Sequence, residues 1–233
     1  MKKMYTLLLL SCLFSLPLFS ATGYLRYSIG YSGRDAQNYK LMVYPRQIEL
    51  FFSDEATAIR TSGGLLSSAL GTSVWFNSRP DTLYMVSHSN KTIFLYDSPP
   101  SDILGFSAKK TGRTLQVAGY EASEYEVSYL TNGNLIKQRV WSSSALRYDN
   151  ISDMFRPDPL VSLTQLFNRP SLGFPLKVEY EEAKDDMQFT VTITLVEEKW
   201  VVPDKNIFVL PAAYTRKLVA PGDPIQLKVG KKK

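Results

Sequence analysis

GFPLKVEYEEAKDDMQFTVTITLVEEKW, residues 173–200, decides the fold class. In its first half Phe174, Leu176, Val178 and Tyr180 alternate with smaller or polar residues, apart from Pro175. Its second half sets Phe189, Val191, Ile193 and Leu195 against Thr190, Thr192 and Thr194. A period of two puts every apolar side chain on one face of an extended chain, and β-branched residues suit a pleated surface. The polar link at 181–186 is expected to lie in water. The stretch therefore reads as a long antiparallel hairpin, apolar on one face and hydroxyl-coated on the other. Such a hairpin is unstable alone and needs a sheet around it.

Immediately upstream, DPLVSLTQLFN at 158–168 is the best helix of the chain outside its N-terminal leader. Asp158 is a suitable N-cap and Pro159 suits the first helical position. Leu160, Leu163 and Phe167 fall on one stripe with Leu166 beside it, and Arg169-Pro170 ends the segment. Further upstream, strands are expected at 24–31, 39–44, 47–52 and 56–61. A meander of aromatic strands follows at 74–77, 82–87 and 92–96, joined by turn-forming residues at 78–81 and 88–91. Residues 115–130 form two alternating pieces joined at Gly119. Asn132-Gly133 is the strongest hairpin turn, and 135–142, carrying Trp141, pairs back from it. GGLLSSALGT at 63–72 fits either a short helix or a loop.

The apolar fraction of 44% is ample for the core of one large β-domain. Residues 1–20 read as a secretory signal: Lys2 and Lys3, an apolar run from Leu7 to Phe19, then the small residues Ser20 and Ala21. Cleavage near Ser20 and export to the periplasm or beyond follow as expectations. Cys12 sits in a context similar to a lipoprotein box, but the apolar run continues past it, so anchoring there is the less favoured route. Cys12 is also the one cysteine, so no disulfide is expected after cleavage. The formal charge of +5 reports the two ends. Removing Lys2 and Lys3 lowers it to +3, and setting aside Lys228 and the lysines at 231–233 brings it to −1. A nucleic-acid footprint is therefore not expected.

Catalytic constellations do not emerge. The single histidine, His88, falls in an expected turn, and nucleophile-elbow, Walker and dinucleotide motifs are missing. SAKK at 107–110 and KTG at 110–112 overlap in what reads as one exposed loop, so their likeness to penicillin-recognising serine enzymes is coincidence. Glu197 and Glu198 are adjacent on a strand and point to opposite faces, while the other acidic pairs lie in the hairpin link. No enzyme activity, cofactor or metal site is expected. What stands out is an excess of aromatics: Trp75, Phe76, Tyr84, Phe94, Tyr96, Tyr125, Tyr129 and Trp141. They fit an ordinary β-core, or a concave apolar face that takes a lipid or acyl chain.

The closing segment VPDKNIFVLPAAY at 202–214 resembles the end of an uncharacterised family of secreted bacterial proteins. KTIFLYD at 91–97, VAGY at 117–120 with Tyr125, and VWS at 140–142 are similar to internal motifs of that family. This sequence departs from it at Ala213, where glycine is usual. The family is similar in layout to the LolA/LolB lipoprotein carriers. The resemblance covers roughly 23–215 and implies a curved antiparallel sheet forming an unclosed half β-barrel with a short helical lid. The expected organisation is a signal peptide at 1–20, one β-domain at 21–215 and a basic tail at 216–233. By analogy it implies non-catalytic binding of a lipid, acyl chain or lipid-anchored protein against Trp75, Tyr84, Phe94, Tyr96, Trp141, Leu163 and Phe167. The alternative is a protein-interaction module of an envelope sensor or assembly, with no small-molecule ligand.

Overall fold

The computed structural model describes residues 22–65, 67, 71–97, 103–131, 133–146, 163–167, 169, 172–184 and 186–219. Its strands, in chain order, begin with β1 (Gly23–Ser32), β2 (Gln47–Phe52), β3 (Ala56–Ser62) and β4 (Thr72–Phe76). They continue with β5 (Arg79–Ser87), β6 (Thr92–Asp97), β7 (Leu104–Val117) and β8 (Tyr120–Thr131). The last are β9 (Asn134–Ser143), β10 (Phe174–Lys184), β11 (Met187–Lys199) and β12 (Thr215–Val219). They form one sheet in the order β12-β6-β5-β4-β3-β2-β1-β11-β10-β9-β8-β7. All pairs are antiparallel except β12 with β6, and the end strands β12 and β7 do not pair with each other. The sheet is large and unclosed.

The hairpin of 173–200 lies in the middle of this order, where β11 pairs β1 and β10 pairs β9. Val178 faces Ile193 and Tyr180 faces Val191 across β10 and β11. Leu176, Val178, Phe189, Val191, Ile193 and Leu195 are buried, as the alternation requires. The polar link is shorter than expected, because pairing continues to Lys184 opposite Met187. Asp186, at φ 63°, then turns the chain, a conformation that Asp tolerates better than most residues. Pro175, which interrupts the alternation, lies at an irregularity in the β9–β10 register. Its carbonyl accepts a buried hydrogen bond of 2.9 Å from the Tyr27 hydroxyl, tying β1 to β10 across β11.

Two apolar clusters flank the sheet. The larger draws side chains from both arms, Leu83, Met85 and Phe94 on one and Tyr129, Val140 and Val178 on the other. The sheet must curl around it for these to meet, and this side is the inner face. The smaller cluster, Phe51, Ala58, Val74, Tyr84, Val86 and Ile93, lies on the outer face of β2–β6. It is covered by Ile207, Phe208, Leu210 and Tyr214 from the strap 200–214, which leads from β11 to β12.

Two local readings change, and a third is only partly described. Tyr39–Val43 is a 3-10 turn, not a strand. The Asn38 side chain accepts from the Lys40 amide at 3.0 Å, offering the backbone a local alternative to a sheet ladder. SAKK and KTG lie on strand β7, not in a loop, with Lys110 paired to Tyr125. Residues 111–113 then form a bulge against Glu124, with Gly112 at φ 86°. The helix expected at 158–168 is described only over Thr164–Phe167; residues 158–162 and 168 lie outside the described residues.

Candidate functional site

On the inner face, cross-strand pairing stacks side chains in rows. Thr57, Trp75, Leu83, Tyr96 and Val219 are paired neighbours along one row. Ile59, Ser73, Met85, Phe94 and Lys217 form the next. The period-2 geometry of β4, β5 and β6 sets these residues inward and sends Val74, Tyr84, Val86 and Ile93 outward. Leu163, Leu166 and Phe167 of the short helical segment belong to the same inner cluster. The Phe167 ring lies 5.1 Å from that of Phe174.

Trp75, Phe94 and Tyr96 of β4 and β6, and Leu163 and Phe167 at the helical turn, thus belong to one inner cluster, with the turn packed on β10. Tyr84 does not join them. It lies in the outer cluster beneath the strap, edge-on to Phe76 with ring centroids 5.5 Å apart. Trp141 touches the inner cluster but pairs with Glu124 and Lys177, and the Lys177 ammonium stands 4.3 Å above its ring. That contact places the indole face on the side of the sheet away from Val140 and Val178.

The apolar inner face carries isolated polar atoms. Trp75 is 2% exposed, and its indole N–H is buried without a hydrogen-bond partner among the described residues. Gln138 of β9 is 5% exposed with its Oε1 likewise unpartnered. Its side chain hydrogen-bonds the Tyr129 phenol, whose pKa burial pushes up to about 12. An unmade hydrogen bond at a buried donor or acceptor costs about 1–3 kcal/mol, so such groups ordinarily meet a partner, water or ligand. The indole N–H of Trp75 is thus an open donor on β4 and the Gln138 Oε1 an open acceptor on β9 among the described residues. A phenol near 12 stays protonated at neutral pH and can act there as a hydrogen-bond donor.

Gln138 and Glu124 are the residues sequence reading passed over. Glu124 is 1% exposed, held by the Thr111 hydroxyl at 2.7 Å and the Arg113 guanidinium at 2.5 Å. The signal was the surplus of residues in KKTGR, which forces the bulge that folds Thr111 and Arg113 onto this carboxylate. His88, expected in a turn, is exposed there and has its Nδ1 3.1 Å from the Tyr214 hydroxyl. It lines a cleft of about 500 Å³ between the strap and β3–β5, beside Asp204 and Asn206. Gly71 closes that cleft at φ 70°, so near the Val86 carbonyl that an added Cβ would lie 1.9 Å from it. Among the described residues no group of three or more His, Cys, Asp or Glu side chains is placed to hold a metal ion.

No family model matches this chain, and no curated protein is significantly similar to it.

Proposed function

We propose that this protein is a non-catalytic periplasmic binder of a lipid, an acyl chain or a lipid-anchored protein. The ligand lies against the inner apolar face of a LolA/LolB-like half-barrel, with the segment around Leu163–Phe167 as its lid. The observation that carries the reading is the buried indole N–H of Trp75, unpartnered among the described residues, within the Leu83, Met85, Phe94 and Tyr96 cluster. A purely structural core would be more stable with phenylalanine there, because the orphaned donor costs more than it returns. A ligand carbonyl, ester or phosphate oxygen would complete it.

Protein purified from its own envelope, extracted with organic solvent and examined by mass spectrometry, should release a lipid in near-stoichiometric amount. Trp75→Phe should lower that yield while leaving the fold intact by circular dichroism. An empty extract from wild-type protein refutes the reading. The intact mass should correspond to cleavage between Ser20 and Ala21, and a diacylated species beginning at Cys12 would overturn the soluble form proposed here.

The second reading is a protein-interaction module of an envelope sensor or assembly. It is favoured by β12, an end strand on which residues 215–218 are exposed and which adds to β6 in parallel. An empty extract together with a specific protein partner captured through β12 would support it.

A further inference from the structure

The far end of the β7–β8 hairpin folds back onto β11. In the sheet order β10, β9 and β8 stand between β11 and β7. On a flat sheet those four strand steps would separate the two by about 19 Å. Their Cα atoms nevertheless approach within 8 Å. The Tyr120 hydroxyl, at the start of β8, donates to the Glu198 carboxylate near the end of β11, past two intervening strands. That bond holds the Tyr120 phenol above its ordinary pKa, so the phenol is the donor at neutral pH.

Local sequence makes this hairpin end one piece. Leu115 pairs with Ala122 and Val117 with Tyr120, so the four share a face. Ala118 at φ 50° and Gly119 at φ 85° form the tight two-residue turn between the strands. Val117 and Ala122 are buried in the larger cluster and Tyr120 packs against it, whereas Leu115 is 41% exposed. At the base lies the 111–113 bulge, which Thr111 and Arg113 fix to Glu124. An added Cβ at Gly112 would meet nothing within 4 Å, so glycine serves its φ of 86° there and not close packing. Both edges of β11 are already taken, by β1 and β10. β7 therefore cannot join it through a backbone ladder, and among the described residues side chains hold the hairpin end down. A closure of that kind opens at lower cost than paired strands separate.

We propose that the hairpin end at 115–122 is a clasp, closed onto β11 by Tyr120 and Glu198 and able to swing open about the 111–113 bulge. The pairing of β8 with β9 begins only at Ser123 with Ser142, so opening breaks no strand pair. It uncovers Val117 and Ala122. The device does not rest on the inner face holding a lipid, and its test uses no ligand. An empty lipid extract would therefore leave it standing.

The test is thiol labelling of single-cysteine proteins in which Cys12, the one natural cysteine, is replaced by serine. Val117→Cys reports the clasp, and Val178→Cys, at a fully buried position of β10, reports global unfolding. In native buffer the thiol at 117 should react with Ellman's reagent about tenfold faster than the thiol at 178, or more. Its rate should barely change in low urea, whereas the rate at 178 should climb steeply, because only global unfolding exposes much surface. Tyr120→Phe should speed the reaction at 117 by about tenfold, the lower end of what a hydrogen bond to a carboxylate is worth. Glu198→Gln should speed it less, because an amide oxygen still accepts from the phenol. Both changes are small, and unchanged circular dichroism would certify the folds. Equal rates or equal urea slopes at 117 and 178 overturn the proposal, since the hairpin end is then a fixed part of the core. Tyr120→Phe leaving the rate at 117 unchanged equally overturns it.

Discussion

Ile193→Asp tests the face assignment on which the architecture rests. Ile193 is 3% exposed and pairs with Ile29 on β1 and Val178 on β10. Removing its side chain from the core forfeits about 1.5–3 kcal/mol of apolar burial. A carboxyl placed there must stay neutral, and holding a group of ordinary pKa ~3.9 protonated at pH 7 costs about 4 kcal/mol. An unpartnered hydroxyl adds about 1–3 kcal/mol. The total, about 7–10 kcal/mol, is comparable with the whole stability of a typical domain. The variant should therefore not accumulate as folded protein at pH 7.

The sign of its pH dependence follows from linkage. The native-state pKa of the new carboxyl is raised above the unfolded value, so the native state holds more protons above pH 4. Stability relative to wild type is greatest below that pH and falls as pH rises. Near pH 4 the neutralisation cost vanishes, and about 4 kcal/mol of the deficit should be recovered. Urea unfolding followed by tryptophan fluorescence at pH 4 and pH 7 measures this. The control is Thr194→Asp, one residue along on the opposite face and paired with Lys177, which should stay within about 0.5 kcal/mol of wild type. If Ile193→Asp is as stable as wild type at pH 7, or Thr194→Asp is as damaging, the assignment of faces is wrong.

Arg113→Ala should destabilise by about 1–3 kcal/mol, because it leaves the buried Glu124 carboxylate with the Thr111 hydroxyl but without its largely exposed cation, whereas Glu124→Gln should cost less, about 1 kcal/mol or below. Equal melting temperatures for the two variants would contradict that. In a spectrophotometric titration at 295 nm, Tyr129 and Tyr24 should ionise near pH 12, after tyrosines of ordinary pKa. Burial raises both phenols, and Glu49 adds to the shift at Tyr24. The native state therefore binds extra protons between pH 10 and 12, and stability should decline as pH rises through that window. Hydrogen exchange should show the Leu166 amide, bonded to the Leu163 carbonyl at 3.1 Å, exchanging much faster than the Ile193 amide. Equal protection would make the helical turn a fixed part of the core rather than a lid.

Much of the fold was legible because strands expose a period of two. The β10–β11 faces, the Thr131-to-Asn134 hairpin after the Asn132-Gly133 signal, and the joint at Gly119 each follow from two or three neighbouring residues. The candidate site was legible only in part. Alternation states that Leu83 and Tyr84 face opposite ways, but both flanking surfaces of β5 are apolar, and nothing local says which is the inside. Trp141 follows Val140 in the same manner. A strand carries its face pattern in its own residues. It does not carry the identity of what covers each face.

Composition, the 173–200 alternation and the turn residues by themselves determined that this chain is mainly β and built from antiparallel hairpins, because those depend on interactions within a few residues. Tertiary structure alone decided that β1 pairs with β11, that the strap 200–214 covers Tyr84, and that the bulge at 111–113 buries Glu124. It also brought the Tyr120 hydroxyl to Glu198. These depend on segments far apart in sequence meeting across the sheet, so their energies appear only when the chain has closed on itself.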